Sequence, residues 1–313
     1  MQFDFIKGHM GGNEIVLLYG DQIPNGREVE IALRILHPTS LSGHQVGILY
    51  PPERGGNLQV KIVGLATRGF ISACGGLTQV LGKAALETKL REQFDLPVQE
   101  PSVKLQLETQ AGMTEVTIDV EDGKAVRVHT DLSAFVKECC DRGVAPLEIL
   151  ETSAMQVGKF LVLRSDDAKA TFPEANFEDM DASTKEILLG LQLDFKRRTR
   201  PENLDFALYD WHPCREGDAR AVFPNNIATG HIEPACGTGT VAIGIAMWDR
   251  GELEQKKRLD GNRVRVQFET GGGPELGGPE VTTLDLLFKE ENISQAMISH
   301  SSVSMVAEGK VWI

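Results

Sequence analysis

The chain has no Cys-x-x-Cys pair, and its seven histidines show no metal-ligand spacing with cysteine, which argues against a zinc module or a dithiol redox motif. Its glycine-rich run, 268–280, lacks a Gly-Lys-Ser/Thr ending and precedes no helical pattern. It therefore reads as a mobile hairpin connection rather than a phosphate loop. Basic residues are scarce, 32 Lys and Arg against 45 Asp and Glu, for a net charge of −13. Nucleic acid or an anionic membrane as the main partner would demand a basic face, so both are disfavoured. A small anionic substrate needs only local donors and stays open. No apolar run approaches the roughly 20 residues of a membrane span. The opening Met1-Gln2-Phe3-Asp4-Phe5-Ile6-Lys7 lacks the basic-then-apolar order of a secretory signal. The expectation is a cytoplasmic protein.

What the chain does have is size: 313 residues at 41% hydrophobic, enough for two domains with their own cores. The five cysteines, an odd number in a chain too large to need staples, read as reduced thiols. Cys139-Cys140 lie in a helical pattern, and Cys214 lies on a loop; all three read as ordinary packing. The other two open matching segments. Ala73-Cys74-Gly75-Gly76-Leu77-Thr78 is echoed by Ala235-Cys236-Gly237-Thr238-Gly239-Thr240, and Gly82 and Ala84 recur as Gly244 and Ala246. The copies stand 162 residues apart, about half the chain.

Short β-branched or alternating runs dominate and predict sheets of antiparallel type rather than a βαβ alternation. Helices are predicted over 27–36, 133–141 and 182–198. The segments after Cys74 and Cys236 are small and apolar on all sides, the pattern of a buried helix. Each half thus reads as strands around one central helix. The predicted junction is near Val128–Ser133: residues 1–130, with a closing strand at 300–313, carry Cys74, and residues 131–299 carry Cys236.

A cysteine at a helix start sits where backbone N–H groups are unpaired and the dipole is positive, which favours thiolate. The same amides bind carboxylates, and Gly75, Gly76, Gly237 and Gly239 let a ligand approach the backbone. Two such starts around one substrate would let one sulfur remove an α-proton while the other returns a proton to the opposite face. No cofactor or metal is signalled.

These residues point to a resemblance. Lys7-Gly8-His9-Met10-Gly11-Gly12-Asn13-Glu14 resembles the opening Lys-Met-His-Gly-x-Gly-Asn-Asp of diaminopimelate epimerase. Gly43-His44-Gln45-Val46 is similar to its Gly-Phe-Asp-Gln segment, Cys74-Gly75-Gly76 to its Cys-Gly-Asn, and Asn203-Leu204-Asp205-Phe206 to its Asn-Ala-Gly-Phe. Pro234 through Thr240 resembles the Pro-Cys-Gly-Thr-Gly-Thr of proline racemases, with Ala235 extra. The chain thus resembles the diaminopimelate epimerase-like superfamily, which also includes methylaconitate-type isomerases. The resemblance implies two pseudo-symmetric α/β domains, each with strands curled around a central helix. It implies Cys74 and Cys236 as catalytic residues. It implies Asn13, Gln45, Gly75, Gly76, Asn203, Gly237 and Thr238 as substrate-binding residues, and a last strand returning to the first domain.

The departures bear on substrate. The epimerase's Glu-Arg pair upstream of its second cysteine is absent from Val222–Glu233, and two of its asparagines fall at Leu65 and near Val157. Diaminopimelate itself is therefore not the expected substrate. Arg68, His231, Asn225 and Asn226 are candidate replacements. The leading expectation is a racemase or epimerase of an amino acid, with a small carboxylate as ligand and a homodimer as the default assembly. Alternatives are a double-bond isomerase of di- or tricarboxylates, a hydroxyproline-type dehydratase, which would lack one of the two cysteines, and a non-catalytic carboxylate-binding protein.

Overall fold

Ile15-Val16-Leu17-Leu18 is apolar at every position, and all four residues are buried, because the strand they form is covered on both faces. The computed structural model describes every residue except 178–179, 200–204, 214, 227–230, 257–258, 271–279 and 291, and all remaining side chains except 225, 226, 231 and 259. The predicted glycine-rich connection lies almost wholly outside the described residues, as does Cys214. The chain divides into two compact units. Met1–Ala134 and Met297–Ile313 belong to the first; Phe135–Thr270 and Val281–Ala296 belong to the second.

The first unit starts with the hairpin β1 (Gln2–Met10) and β2 (Asn13–Tyr19), joined by Gly11 and Gly12. Both glycines have positive φ (55° and 85°), which residues with a Cβ rarely adopt. Helix α1 (Glu28–Leu36) crosses to β3 (Gln45–Tyr50), followed by β4 (Leu58–Gly64), β5 (Gly69–Ile71), α2 (Gly75–Glu87), α3 (Leu90–Gln93) and the meander β6 (Ser102–Thr109), β7 (Gly112–Glu121) and β8 (Lys124–Asp131). The second unit repeats the plan. After α4 (Ser133–Arg142) and β9 (Val144–Ile149) comes a hairpin, β10 (Thr152–Val157) and β11 (Phe160–Arg164). Helices α5 (Ser165–Thr171) and α6 (Ala182–Arg198) cross to β12 (Asp205–Asp210), β13 (Ala219–Asn226) and β14 (His231–Glu233). Then come α7 (Gly237–Asp249), α8 (Glu252–Gln255), β15 (Leu259–Asp260), β16 (Arg263–Thr270), β17 (Glu280–Lys289) and β18 (Asn292–His300), whose last residues belong with β19 (Val303–Trp312) to the first unit.

The expectation of antiparallel sheets needs correcting: each unit mixes parallel and antiparallel pairs. β2 runs parallel to β3 (Ile15 beside Gln45) and β4 parallel to β6 (Leu58 beside Leu107). In the second unit β11 runs parallel to β12 (Phe160 beside Asp205) and β13 parallel to β16 (Ala219 beside Phe268). The helical crossovers make this necessary, since a strand that returns through a helix on one face re-enters the sheet in the same direction. β1 pairs with β2 and β19, and β8 with β7 and β18, all antiparallel. The first-unit strands curl around α2, whose residues from Gly75 to Gly82 are all buried. Ile15, Leu17, Ile62, Leu105 and Ile118 join Leu77, Val80 and Leu81 in one core. On the outer face, Val16, Leu18, Val46 and Ile48 pack under Ile31 and Ile35 of α1. The predicted helices are found as α1, α4 and α6, and no helix of the described residues is long and apolar enough to cross a membrane.

A carboxylate pins the same loop in each unit. Glu108 of β6 is fully buried and accepts the N–H groups of Glu53 (2.9 Å), Arg54 (2.6 Å) and Gly56 (2.9 Å) between β3 and β4. Glu269 of β16 accepts those of Arg215 (2.7 Å) and Glu216 between β12 and β13.

Two predictions follow from this packing. A methyl group on Gly82 would fall 2.6 Å from Val128 Cγ1 and 3.0 Å from Val116 Cγ1, and β-branched side chains are stiff. Overpacking of this kind costs about 1–3 kcal/mol, more than the roughly 1 kcal/mol that alanine gains over glycine in a helix. Gly82→Ala should lower the urea midpoint at unchanged m-value; a variant as stable as the parent would show that the α2–β8 contact is loose. The second concerns His300, buried at the end of β18. Its Nδ1 is 2.9 Å from the Ser302 carbonyl and 3.8 Å from Glu280 Oε2. Burial pushes its pKa down from 6.5 to about 4; His9 acts in the same direction and the Ser302 bond opposes. The folded chain resists a proton that the unfolded chain accepts, so this contribution is complete above pH 6.5 and is lost as pH falls through about 4. Between pH 7 and pH 5 the parent should lose about 2 kcal/mol more unfolding free energy than His300→Gln. Parallel losses in denaturant titrations would assign the acid sensitivity to other groups.

Candidate active site

Both repeated cysteines are the residues that cap a buried helix, and they do it in the same way. Cys74 precedes α2 with φ −150° and ψ 108°, and its Sγ accepts the Leu77 N–H at 3.4 Å. Cys236 precedes α7 with φ −135° and ψ 112°, and its Sγ accepts the Gly239 N–H at 3.4 Å. In each case the threonine four residues on turns its hydroxyl back to the cysteine carbonyl, Thr78 at 3.3 Å and Thr240 at 2.8 Å. The two thiols are 7% and 6% exposed. Sulfur replaces the oxygen of an ordinary N-cap and satisfies one orphan amide, leaving the glycine-flanked amides before it for a ligand.

In the first unit the predicted residues gather at the start of α2. Asn13 is fully buried. A methyl group on Gly76 would come 3.2 Å from its Nδ2, so the Asn13 amide lies against the first helical turn. Its Oδ1 is 3.1 Å from His44 Nδ1, and the Glu14 N–H points at the same ring nitrogen at 3.0 Å. Gln45 opens β3 two residues before Gly47. A methyl on Gly47 would meet Leu77 Cδ1 at 2.9 Å, and alternate residues share a strand face, so Gln45 is on the side that packs against α2. Behind the first turn, Thr78 Oγ1 meets Thr130 Oγ1 at 2.9 Å, while Gln79 Nε2 donates to Thr130 Oγ1 (3.0 Å) and to the Ile298 carbonyl (3.2 Å). These buried bonds fix the rotation of the helix and hence the direction of the Cys74 cap.

In the second unit Gly237 and Thr238 are at the start of α7, and Thr238 Oγ1 is 3.5 Å from Cys236 Sγ. A methyl on Gly239 would strike the Phe223 ring at 2.6 Å, so only glycine lets the helix start press against β13. The expected lowering of thiol pKa does not hold for Cys236. Burial pushes it well above its ordinary value, and the Glu233 carboxylate adds to this; the Thr238 hydroxyl and the Gly239 N–H oppose without prevailing. Desolvation of a thiolate outweighs a single helix-start amide.

Several residues that carry no signal of their own in the sequence belong to this site. Glu233 is buried (4% exposed), and its charge helps to raise the Cys236 pKa. Lys159 Nζ is 2.6 Å from Asp205 Oδ2. Burial works against the lysine's charge, but Asp205 and then Cys236 hold its pKa above the ordinary value. A Gly-Lys turn and an isolated aspartate 46 residues later offer no pattern by which to pair them.

Not every candidate joins. Asn203 lies outside the described residues, as do the side chains of Asn225, Asn226 and His231. Arg68 has φ 53° and lines a groove with Arg34 and His37 of the α1 region and Trp312. It is thus placed with the outer helix, on the sheet face opposite α2. Leu65 packs into the α1 core and Val157 is fully buried, so both positions serve packing. Cys139 is buried beside Gly158. Among the described residues no group of three His, Cys, Asp or Glu is placed to hold a metal.

No family profile matches the chain. An uncharacterised protein of Bacillus anthracis is 30% identical over 124 residues, which is 39% of this chain and 34% of that protein, so the match spans about a third of the relative's length. Among solved structures, a hydroxyproline epimerase from Agrobacterium vitis with bound trans-4-hydroxy-L-proline is similar at a TM-score of 0.66 and 15% identity, over 99% of this chain and 92% of that one. A methylitaconate-Δ-isomerase is similar at a TM-score of 0.62 and 15% identity, over 99% and 95%. The chain thus shares the mixed α/β fold of these solved structures.

Proposed function

We propose that this chain is a cofactor-independent racemase or epimerase that inverts the α-carbon of an amino acid by proton transfer between Cys74 and Cys236. The observation that carries the reading is the matched geometry of the two caps: in both units a buried sulfur accepts an amide of a glycine-flanked helix start at 3.4 Å. Each cap combines an acid–base group with backbone donors, which is what carbanion chemistry next to a carboxylate needs.

The reaction runs in two proton transfers. One sulfur, as thiolate, takes the hydrogen from Cα, and the C–H electron pair delocalises into the carboxylate. Amides of Gly75, Gly76, Gly237 and Thr238 stabilise that growing negative charge, with Asn13 and Gln45 orienting the substrate. The opposite thiol then delivers its proton to the other face, leaving thiol and thiolate exchanged. Reduced cysteines at both positions fit a cytoplasmic setting. Fold likeness to a methylitaconate-Δ-isomerase favours a second reading, in which the same transfers move a double bond along an unsaturated acid.

Incubation of the reduced protein with panels of amino acids and unsaturated di- and tricarboxylates in D₂O, read by NMR, separates the two. The first reading expects deuterium at Cα together with the opposite enantiomer; the second expects deuterium at an allylic carbon and a shifted alkene signal. Cys74→Ser and Cys236→Ser should each slow turnover by about 10²- to 10⁴-fold, the usual contribution of one acid–base group. A parent protein that exchanges neither kind of proton in any compound would defeat both readings.

A further inference from the structure

The two units carry different side chains at one equivalent position. Gln45 opens β3, which runs parallel to β2 with Gln45 beside Ile15; Asp205 opens β12, which runs parallel to β11 with Asp205 beside Phe160. Phe206 and Leu208 enter the core shared with α5 and α6, so alternation sends Asp205, Ala207 and Tyr209 to the other face, where α7 packs. The Tyr209 hydroxyl donates to Glu252 at 2.9 Å, and Glu252 opens α8 just past the end of α7. β12 therefore runs against the direction of α7. Asp205, about 13 Å back along the strand, is at the Cys236 end of the helix. There its Oδ2 lies 2.6 Å from Nζ of Lys159, on the β10–β11 turn, and the two side chains are 14% and 20% exposed. We propose that this ion pair recognises the head group of an amino acid: Asp205 takes the ammonium, and Lys159 joins the helix-start amides on the carboxylate.

The bonding capacity of the pair fits that role. An ammonium has three donors, and an ionised carboxylate has about four lone-pair sites. Among the described residues, Asp205 is the one carboxylate in ion-pair contact with Lys159, so both groups keep capacity for a ligand. Burial sets the sign of the preference. The pair is neutral as a whole, and a zwitterion adds no net charge to it. A di- or tricarboxylate would set two or three negative charges beside one lysine that Asp205 already balances, which is costly where water is scarce. Cys236 is among the groups that act on the lysine's charge, in agreement with the placement. Recognition of the head group deepens the isomerase reading and rests on it for the reacting carbon.

The test separates recognition from turnover. Each amino acid of the D₂O panel is paired with the carboxylic acid that lacks its amino group, and protection of Cys236 from iodoacetamide is followed on the full reduced chain by mass spectrometry. In the parent, at least one amino acid should protect at a concentration about 10- to 100-fold below that of its counterpart, the usual worth of one charge-assisted hydrogen bond. Asp205→Asn should erase that difference. Lys159→Met combined with Asp205→Leu replaces the pair by apolar groups, an exchange that folds tolerate; it should keep the parent's urea midpoint and lose the preference as well. A preference that survives in Asp205→Asn or in the double variant, or a parent that no amino acid protects, would overturn the proposal. Deuterium at Cα is scored in the same samples. Protection that depends on Asp205 without exchange keeps the recognition and defeats the isomerase reading; exchange with a preference indifferent to Asp205 does the reverse.

Discussion

A helix that is apolar on every side must be buried, and burying it carries its first amides to a place where bulk water no longer satisfies them. α2 and α7 are both in this position, with every residue from the first glycine through the eighth buried. Both meet it alike. A cysteine sulfur accepts the third amide, a threonine hydroxyl returns to the cysteine carbonyl, and a glycine opens each helix. A serine or aspartate would cap more strongly. Sulfur caps weakly but can exchange a proton with carbon, so under the proposed function the cap and the reactive group are one atom.

The rest of each unit serves to hold that start still. A carboxylate fixes the hairpin connection beside each central helix. Glu108 lies 34 residues after Cys74 and Glu269 lies 33 residues after Cys236, and each binds successive amides of the loop preceding a strand that runs parallel to its own. A second glycine, Gly82 or Gly244, lets each helix approach the surrounding strands, where a methyl group would come within 2.6 Å of Val128 or 2.4 Å of Leu284. The repetition thus reaches past the helix starts into the packing.

These features were unevenly legible in the sequence. The cysteine pair is readable because cap, glycine and threonine are fixed by contacts within one helical turn, and so recur at fixed spacing. α1, α4 and α6 are readable for the same reason of locality. The parallel pairings are not: Ile15-Val16-Leu17-Leu18 is buried on both faces, and a run without alternation does not say which strand lies beside it. Asn13 and Gln45 became visible only through resemblance, since their place at α2 depends on strand register. Glu233 stands three residues before Cys236, but a single carboxylate has no pattern. Its meaning comes from burial, as does that of the Lys159–Asp205 pair. Arg68, six residues before Cys74, could by sequence reach the cleft or be a solvated turn residue, and it lines a groove with Arg34 and His37.

A repeated fold has a problem that repetition cannot solve. Two thiols in equivalent surroundings would have equal claims on a proton, yet a reaction that passes hydrogen from one face of a carbon to the other must begin with one sulfur bare and the other loaded. The symmetry therefore has to break near the sulfurs, while the caps that aim them stay matched. Ile71 and Glu233 occupy equivalent positions, outside the capped turn, where a change alters the electrostatics and leaves the helix geometry alone. An apolar side chain at one and a buried carboxylate at the other is a small difference in sequence. In a desolvated pocket, where charges are weakly screened, such a difference makes the surroundings of the two caps unequal.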